Sequence, residues 1–194
     1  MIARWLAFAL SALLGAAPAA TPLPGDSVLQ PTQVFTDQSG HDFHLADRAG
    51  QVQMVSMFYA SCTYTCPLTI DAGRGIDQAL TPAERTRLRV LMVSFDVRRD
   101  TPAALAALAG KRKLDPSRWT LARGSDDGVR TFAALLGIRY RRLANGDFDH
   151  SSQWILLDAQ GRILARSEVE GAKRDRQFLA AVRKALATPA AATH

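Results

Sequence analysis

Cys62 and Cys66 are the only cysteines in this chain, and they stand four residues apart within the stretch 57–71, MFYASCTYTCPLTID. Two thiols at that spacing can close a disulfide or chelate a soft metal ion, and the spacing alone leaves both open. A strand-like run, 52–59, comes just before the pair, and Pro67 follows it directly, as suits a first helical position. The expectation is a strand, a short loop carrying Cys62, and a helix starting at Cys66. Backbone N–H groups and the helix macrodipole at that start favour a thiolate.

Two thiolates leave a soft ion under-coordinated, so a third ligand is sought among the four histidines. His194 is terminal, and His41 and His44 fall on an N-terminal hairpin with a solvated edge. His150 lies in the polar run 145–150, directly before the apolar run 153–157, which places it to lean over the cysteines. Two thiolates and a neutral imidazole suit Cu(I) in low coordination and also Cu(II), whereas Zn(II) prefers a fourth ligand. Asp96 and Asp100 follow the run 88–95 and could hold a ligand's N–H, although Asp100 and Thr101 also read as a helix cap. Asp149 adjoins His150, but neighbouring side chains in sequence seldom meet. Met54 and Met57 alternate in a strand pattern and read as core.

The elements that must position these residues follow from periodicity. Residues 34–45 read as two short strands around an Asp-to-Gly turn, and 52–59 and 88–95 as buried strands. After Pro67, Leu68, Ala72, Ile76 and Leu80 share one helical face, and Thr81-Pro82-Ala83-Glu84 carries a capping box. Thr101-Pro102 opens a helix with Leu105 and Leu108. A strand follows at 119–122, and Ser125 caps a helix with Val129, Phe132, Ala133 and Leu136, stopped by Gly137. Residues 138–143 read as extended, 145–150 as a polar loop, 153–157 and 163–165 as a hairpin, and Phe178, Leu179, Val182, Ala185 and Leu186 as a last helix. This order predicts an α/β domain with a mixed central sheet flanked by helices and an N-terminal β-hairpin extension. With a cysteine pair at a strand-to-helix turn it looks like a thioredoxin-like fold. The C-terminal strand ends would then collect Cys62, Cys66 and Asp96 on one rim. Thioredoxin-like oxidoreductases use C-x-x-C; the C-x-x-x-C here has a wider bite, which suits two thiolates on one metal while still permitting a disulfide.

The chain of 194 residues, 47% hydrophobic, suits one domain with a sizeable core. It opens with Arg4, an apolar run 5–14 and Ala17-Pro18-Ala19, which reads as a signal peptide over 1–20 or a short N-terminal anchor. A linker over 21–32, a domain over 33–187 and a flexible tail over 188–194 complete the expected layout. Export puts the cysteines in an oxidising compartment, where the plain reading is a structural disulfide. A bridge across so short a loop gains little chain entropy, which favours a working site over a staple. The net charge of +6 comes from scattered, Arg-rich basic residues mixed with acids. That pattern argues against nucleic acid and fits a solvated surface able to meet an acidic partner or anionic lipid.

Four segments then carry a resemblance, in order: FTDQSG at 35–40, FYASCTYTCP at 58–67, SFDVRRDTP at 94–102 and DHS at 149–151. Together they resemble the Sco/SenC family over about 33–186. The resemblance implies a thioredoxin-like fold and copper bound by Cys62, Cys66 and His150. It also implies a role in assembling the binuclear copper site of cytochrome c oxidase subunit II, as copper donor or as a reductase of that site's thiols through the redox-active pair Cys62 and Cys66. A second copper chaperone is an implied partner, with a periplasmic location and association with the inner membrane. Thr63 and Val97 stand where many members have proline.

Overall fold

The computed structural model describes residues 22–62, 65–168 and 175–188. The expected signal segment 1–20 and the tail beyond Thr188 lie outside the described residues. The chain forms β1 (Val34–Asp37), β2 (Asp42–His44), a short 3-10 turn, β3 (Val52–Phe58), α1 (Thr65–Ala79), α2 (Pro82–Arg87) and β4 (Leu88–Ser94). It continues with α3 (Pro102–Lys111), β5 (Trp119–Gly124), α4 (Asp126–Leu136), β6 (Tyr140–Arg142), β7 (Phe148–His150), β8 (Gln153–Leu157), β9 (Ile163–Glu168) and α5 (Arg176–Ala187).

Seven strands make one mixed sheet in the order β2-β1-β5-β4-β3-β8-β9, with β6 and β7 paired as a separate hairpin. Strands β3, β4 and β5 run parallel, while β1 against β5 and β8 against β3 are antiparallel. The central strands are buried on both faces, so β3 and β4 are mostly apolar rather than strictly alternating, with Gln53, Ser56 and Ser94 buried among the apolar residues. This is the mixed, thioredoxin-like α/β arrangement, and the N-terminal hairpin extends the sheet at its β5 edge. The hairpin turns where expected: Asp37 Oδ1 accepts from Ser39 N–H at 2.7 Å and His41 N–H at 3.0 Å, and Gly40 takes φ +83°.

Helix α1 packs on the sheet through Cys66, Thr69, Ile70, Gly73, Ile76 and Asp77. The predicted face named Leu68, which is only half-buried, and the helix begins two residues before Pro67. Gly73 admits the indole of Trp154 from β8: a Cβ there would lie 2.3 Å from the ring. The indole N–H donates to the Thr69 carbonyl at 2.9 Å, which fixes α1 to the strand that follows His150.

Two expectations need correction. Part of the stretch read as linker is packed into the domain, with Val28 and Leu29 in the core and Val28 N–H donating to Gly161 O at 3.0 Å. These two apolar residues, set among prolines and glycine, close the β8–β9 end of the core. The run 145–150 is a loop only at its start: Phe148 is buried and Tyr140 pairs with His150 across a β6–β7 hairpin, with Gly146 at φ +86° in the turn. Three-residue strands are too short to declare a period of two.

Caps set the other helices. Thr101, Ser125 and Asp175 accept from Ala104, Gly128 and Phe178 N–H respectively, and Gly137 ends α4 in the left-handed conformation. The Phe178 N–H, then the Ser167 hydroxyl, hold the Asp175 carboxyl below the usual carboxylate range. Such a group stabilises fully above its unfolded pKa of about 3.9 and loses that contribution as pH falls through its lower folded value. Asp175→Ala is therefore expected to cost about 1 kcal/mol at pH 7. Urea unfolding at decreasing pH should show the gap between wild type and variant closing in acid.

Candidate metal centre

The rim formed by the C-terminal ends of the parallel strands gathers the predicted ligands. Cys62 follows β3 in a half-buried turn, and Cys66 is the second residue of α1 and 2% exposed. His150 ends β7. One ligand atom from each of these three side chains lies within 4.8 Å of the others, and they form the metal-capable group found among the described residues. The distance from Cys66 Sγ to His150 Nε2 is 3.8 Å. Bonds of about 2.3 Å to sulfur and about 2.0–2.1 Å to imidazole, the lengths found at zinc, meeting at one ion span that gap. The donor set, two sulfurs and one imidazole, is soft and suits copper.

Backbone amides shape the sulfur pair. Cys66 N–H, at the start of α1, donates to Cys62 Sγ at 3.2 Å, so the helix terminus serves the other cysteine. Tyr59 N–H donates to Cys66 Sγ at 3.5 Å. A lowered thiol at Cys66 does not result: its contact with Cys62, then burial, push the Cys66 thiol well above the ordinary cysteine range. The proton that Cys66 keeps in the metal-free protein must leave when a metal binds. Burial and the Cys62 thiol together push the Tyr59 hydroxyl up to about 12.

His150 is oriented from its far side. Its Nδ1 lies 3.2 Å from the Ser151 carbonyl, which selects the tautomer with the proton on Nδ1 and leaves the Nε2 lone pair toward Cys66. Aromatic rings enclose the imidazole: Phe95 at 5.0 Å and Tyr59 at 5.9 Å, with Phe148 packed on both. Tyr140 stacks on Phe95 at 4.6 Å. Sequence reasoning missed this cage. The available signal was Phe148, a large aromatic two residues before His150 in an otherwise polar run.

The two aspartates divide the work. Asp100, 2% exposed, accepts from Ala60 N–H at 2.8 Å and from the Ser94 hydroxyl, so it ties the cysteine turn to the end of β4. Capping of α3 falls to Thr101 alone. Burial raises the Asp100 carboxyl above the usual range. Asp96 is closed by the Arg99 guanidinium, whose Nη2 also reaches Gly146 O at 2.7 Å and so links the β4 end to the β6–β7 turn. Asp149 faces solvent and pairs with Arg141 at 3.3 Å, away from the imidazole. His41 and His44 are exposed on the hairpin, and Met54 and Met57 are in the core.

No curated protein sequence matches the chain. Among solved structures it is similar to a SCO1/SenC family lipoprotein from Bacillus anthracis, with a TM-score of 0.71 and 21% identity over 78% of this chain and 91% of that one. It is similar to Bradyrhizobium japonicum ScoI with copper bound, with a TM-score of 0.67 and 18% identity over 79% and 96% of the two chains. A third neighbour is BsSco, described through a disulfide switch as a member of the Sco family of cytochrome c oxidase assembly proteins. It has a TM-score of 0.68 and 21% identity over 81% and 92%. These likenesses establish the fold, and the SCO1/SenC family model matches residues 23–187, so the chain belongs to the SCO1/SenC family.

Proposed function

We propose that this protein is an exported copper carrier that holds its cargo at Cys62, Cys66 and His150 and delivers it to the binuclear copper site of cytochrome c oxidase subunit II. The convergence of two thiols and an imidazole within 4.8 Å on an open rim carries the reading. Membership of the SCO1/SenC family supports it, as do a copper-bound relative and another relative described as an oxidase assembly protein. Three ligands leave one side of the ion open, so an incoming thiolate or imidazole from the recipient can attach before the outgoing ligand leaves, and no free ion is released. Loading by a second copper chaperone can use the same open side in reverse. The apolar N-terminal run supports a periplasmic location, with the domain either released or held at the inner membrane by that run. No helix of the described residues is long and apolar enough to cross a membrane.

A second reading is favoured by one asymmetry. Cys62 is half-buried and accepts an amide N–H, while Cys66 is buried behind it, the arrangement of an attacking and a resolving sulfur in thiol–disulfide exchange. Under it, Cys62 thiolate attacks a partner disulfide, and Cys66 displaces the partner thiolate to close the Cys62–Cys66 bridge. Both readings are tested in one experiment with the metal-free copper domain of subunit II. Copper-loaded protein should pass its ion to the reduced domain even with a copper chelator present. Copper appearing only in the chelator would count against delivery. Accumulation of a mixed disulfide between Cys66→Ser protein and the oxidised domain would favour the reductase.

A further inference from the structure

Beside the metal-capable group lies a cavity of about 350 Å³ whose floor is aromatic and whose walls are basic. Phe95, Tyr140 and Phe148 form the floor and belong to the same cluster that encloses His150. Arg98, Arg130, Arg141 and Arg142 line the walls together with two acids, Asp96 and Asp126. Asp96 is already closed by Arg99, and Arg141 is held by Asp149 at 3.3 Å. Three cations therefore remain against one acid, Asp126. Arg142 lies over the Phe148 ring at 5.7 Å, and Arg130 lines the cavity with Tyr140. Neither Arg130, Arg142 nor Arg98 has a carboxylate within salt-bridge reach among the described residues.

The charge continues across the rim. Lys111 and Arg112 line a second cavity, of about 270 Å³, together with Cys62 and Cys66. Arg112 is partly met by Asp71 at 3.4 Å. Cations thus line both cavities, one sharing its aromatic residues with the cluster around His150 and the other lined by Cys62 and Cys66, so an approaching acidic surface would be steered toward the metal-capable group.

We propose that the Arg98–Arg130–Arg142 cleft receives an acidic segment of a partner protein, seating that partner's metal-accepting groups against Cys62 and His150. The inference rests on the reading of the protein as a copper donor to another protein. Guanidinium groups match carboxylates as two-pronged donors, and an aromatic floor strengthens such pairs by excluding water. The cleft is concave and of side-chain dimensions, which fits a protruding peptide rather than a planar lipid surface.

The test is an amide-detected NMR titration of the reduced, metal-free protein with acetylated hexaglutamate at low ionic strength. Saturable shifts should centre on Arg98, Arg130, Tyr140, Arg142 and Phe148. The triple variant Arg98→Gln, Arg130→Gln, Arg142→Gln should weaken binding about tenfold, as should raising salt from about 20 to about 200 mM. Arg176→Gln with Lys184→Gln, on α5, should leave binding unchanged. An absence of saturable shifts, equal affinity in the triple variant, or binding only to phosphatidylglycerol vesicles would overturn the cleft. Copper stoichiometry, read on separate aliquots of the same proteins after copper loading, separates the two claims. Its retention without peptide binding overturns the cleft, and its loss from the unsubstituted protein overturns the donor reading.

Discussion

Cys66→Ser is expected to lower copper affinity by more than the 10- to 100-fold typical of losing a group that only orients a ligand. On the proposed site, Cys66 is the central ligand: its sulfur lies 3.8 Å from His150 Nε2 and accepts the Tyr59 N–H. Serine fits the same buried space and can accept that amide, so the fold should persist. Its hydroxyl is a hard, neutral donor at neutral pH and a poor ligand for Cu(I). Competition against a calibrated copper chelator, with circular dichroism to confirm the fold, measures the effect. A loss smaller than about tenfold would remove Cys66 from the ligand set.

The largest stability effect is expected at Gly73. Alanine there gains about 1 kcal/mol of helix propensity. The new methyl would sit 2.3 Å from Trp154 Cζ2 and 2.7 Å from Cε2, and the indole, 1% exposed and anchored to Thr69 O, has nowhere to retreat. Overpacking of this kind costs up to about 3 kcal/mol, so a net loss of about 2 kcal/mol is expected in urea unfolding. Gly110→Ala is the contrast. Nothing lies within 4 Å of its added Cβ, and the change should stabilise α3 by about 0.5–1 kcal/mol. Because α1 carries Cys66 and β8 follows His150, a shift at the Gly73–Trp154 contact also moves those two ligands apart. Gly73→Ala should therefore weaken copper binding as well as stability, which a substitution in α3 would not.

Much of this arrangement is legible in the sequence because the signals are local. Capping residues at Thr81, Thr101 and Ser125 mark helix starts, and the apolar runs of β3 and β4 declare strands buried on both faces. The cysteine pair and His150 stand out because few residue types carry that chemistry. What stays hidden depends on long-range contact. The tie from Asp100 to Ala60 spans 40 residues and appears in sequence only as one more acid before a helix. The aromatic cage draws Tyr59 and Phe95 from just past the ends of β3 and β4, and Tyr140 and Phe148 from the two strands of the β6–β7 hairpin. The high thiol at Cys66 also escapes a helix-start rule, because the Cys66 amide turns to Cys62, and contact with Cys62, then burial, raise the Cys66 thiol.

The most direct test of the three-ligand copper site is loading of the reduced protein with Cu(II), read by visible absorption and metal analysis, with His150→Ala and Asp149→Ala beside wild type. A sulfur-to-copper charge-transfer band is expected at one copper per chain, lost or shifted in His150→Ala and unchanged in Asp149→Ala. Copper that washes away from wild type, or a band indifferent to His150→Ala, would contradict the three-ligand site.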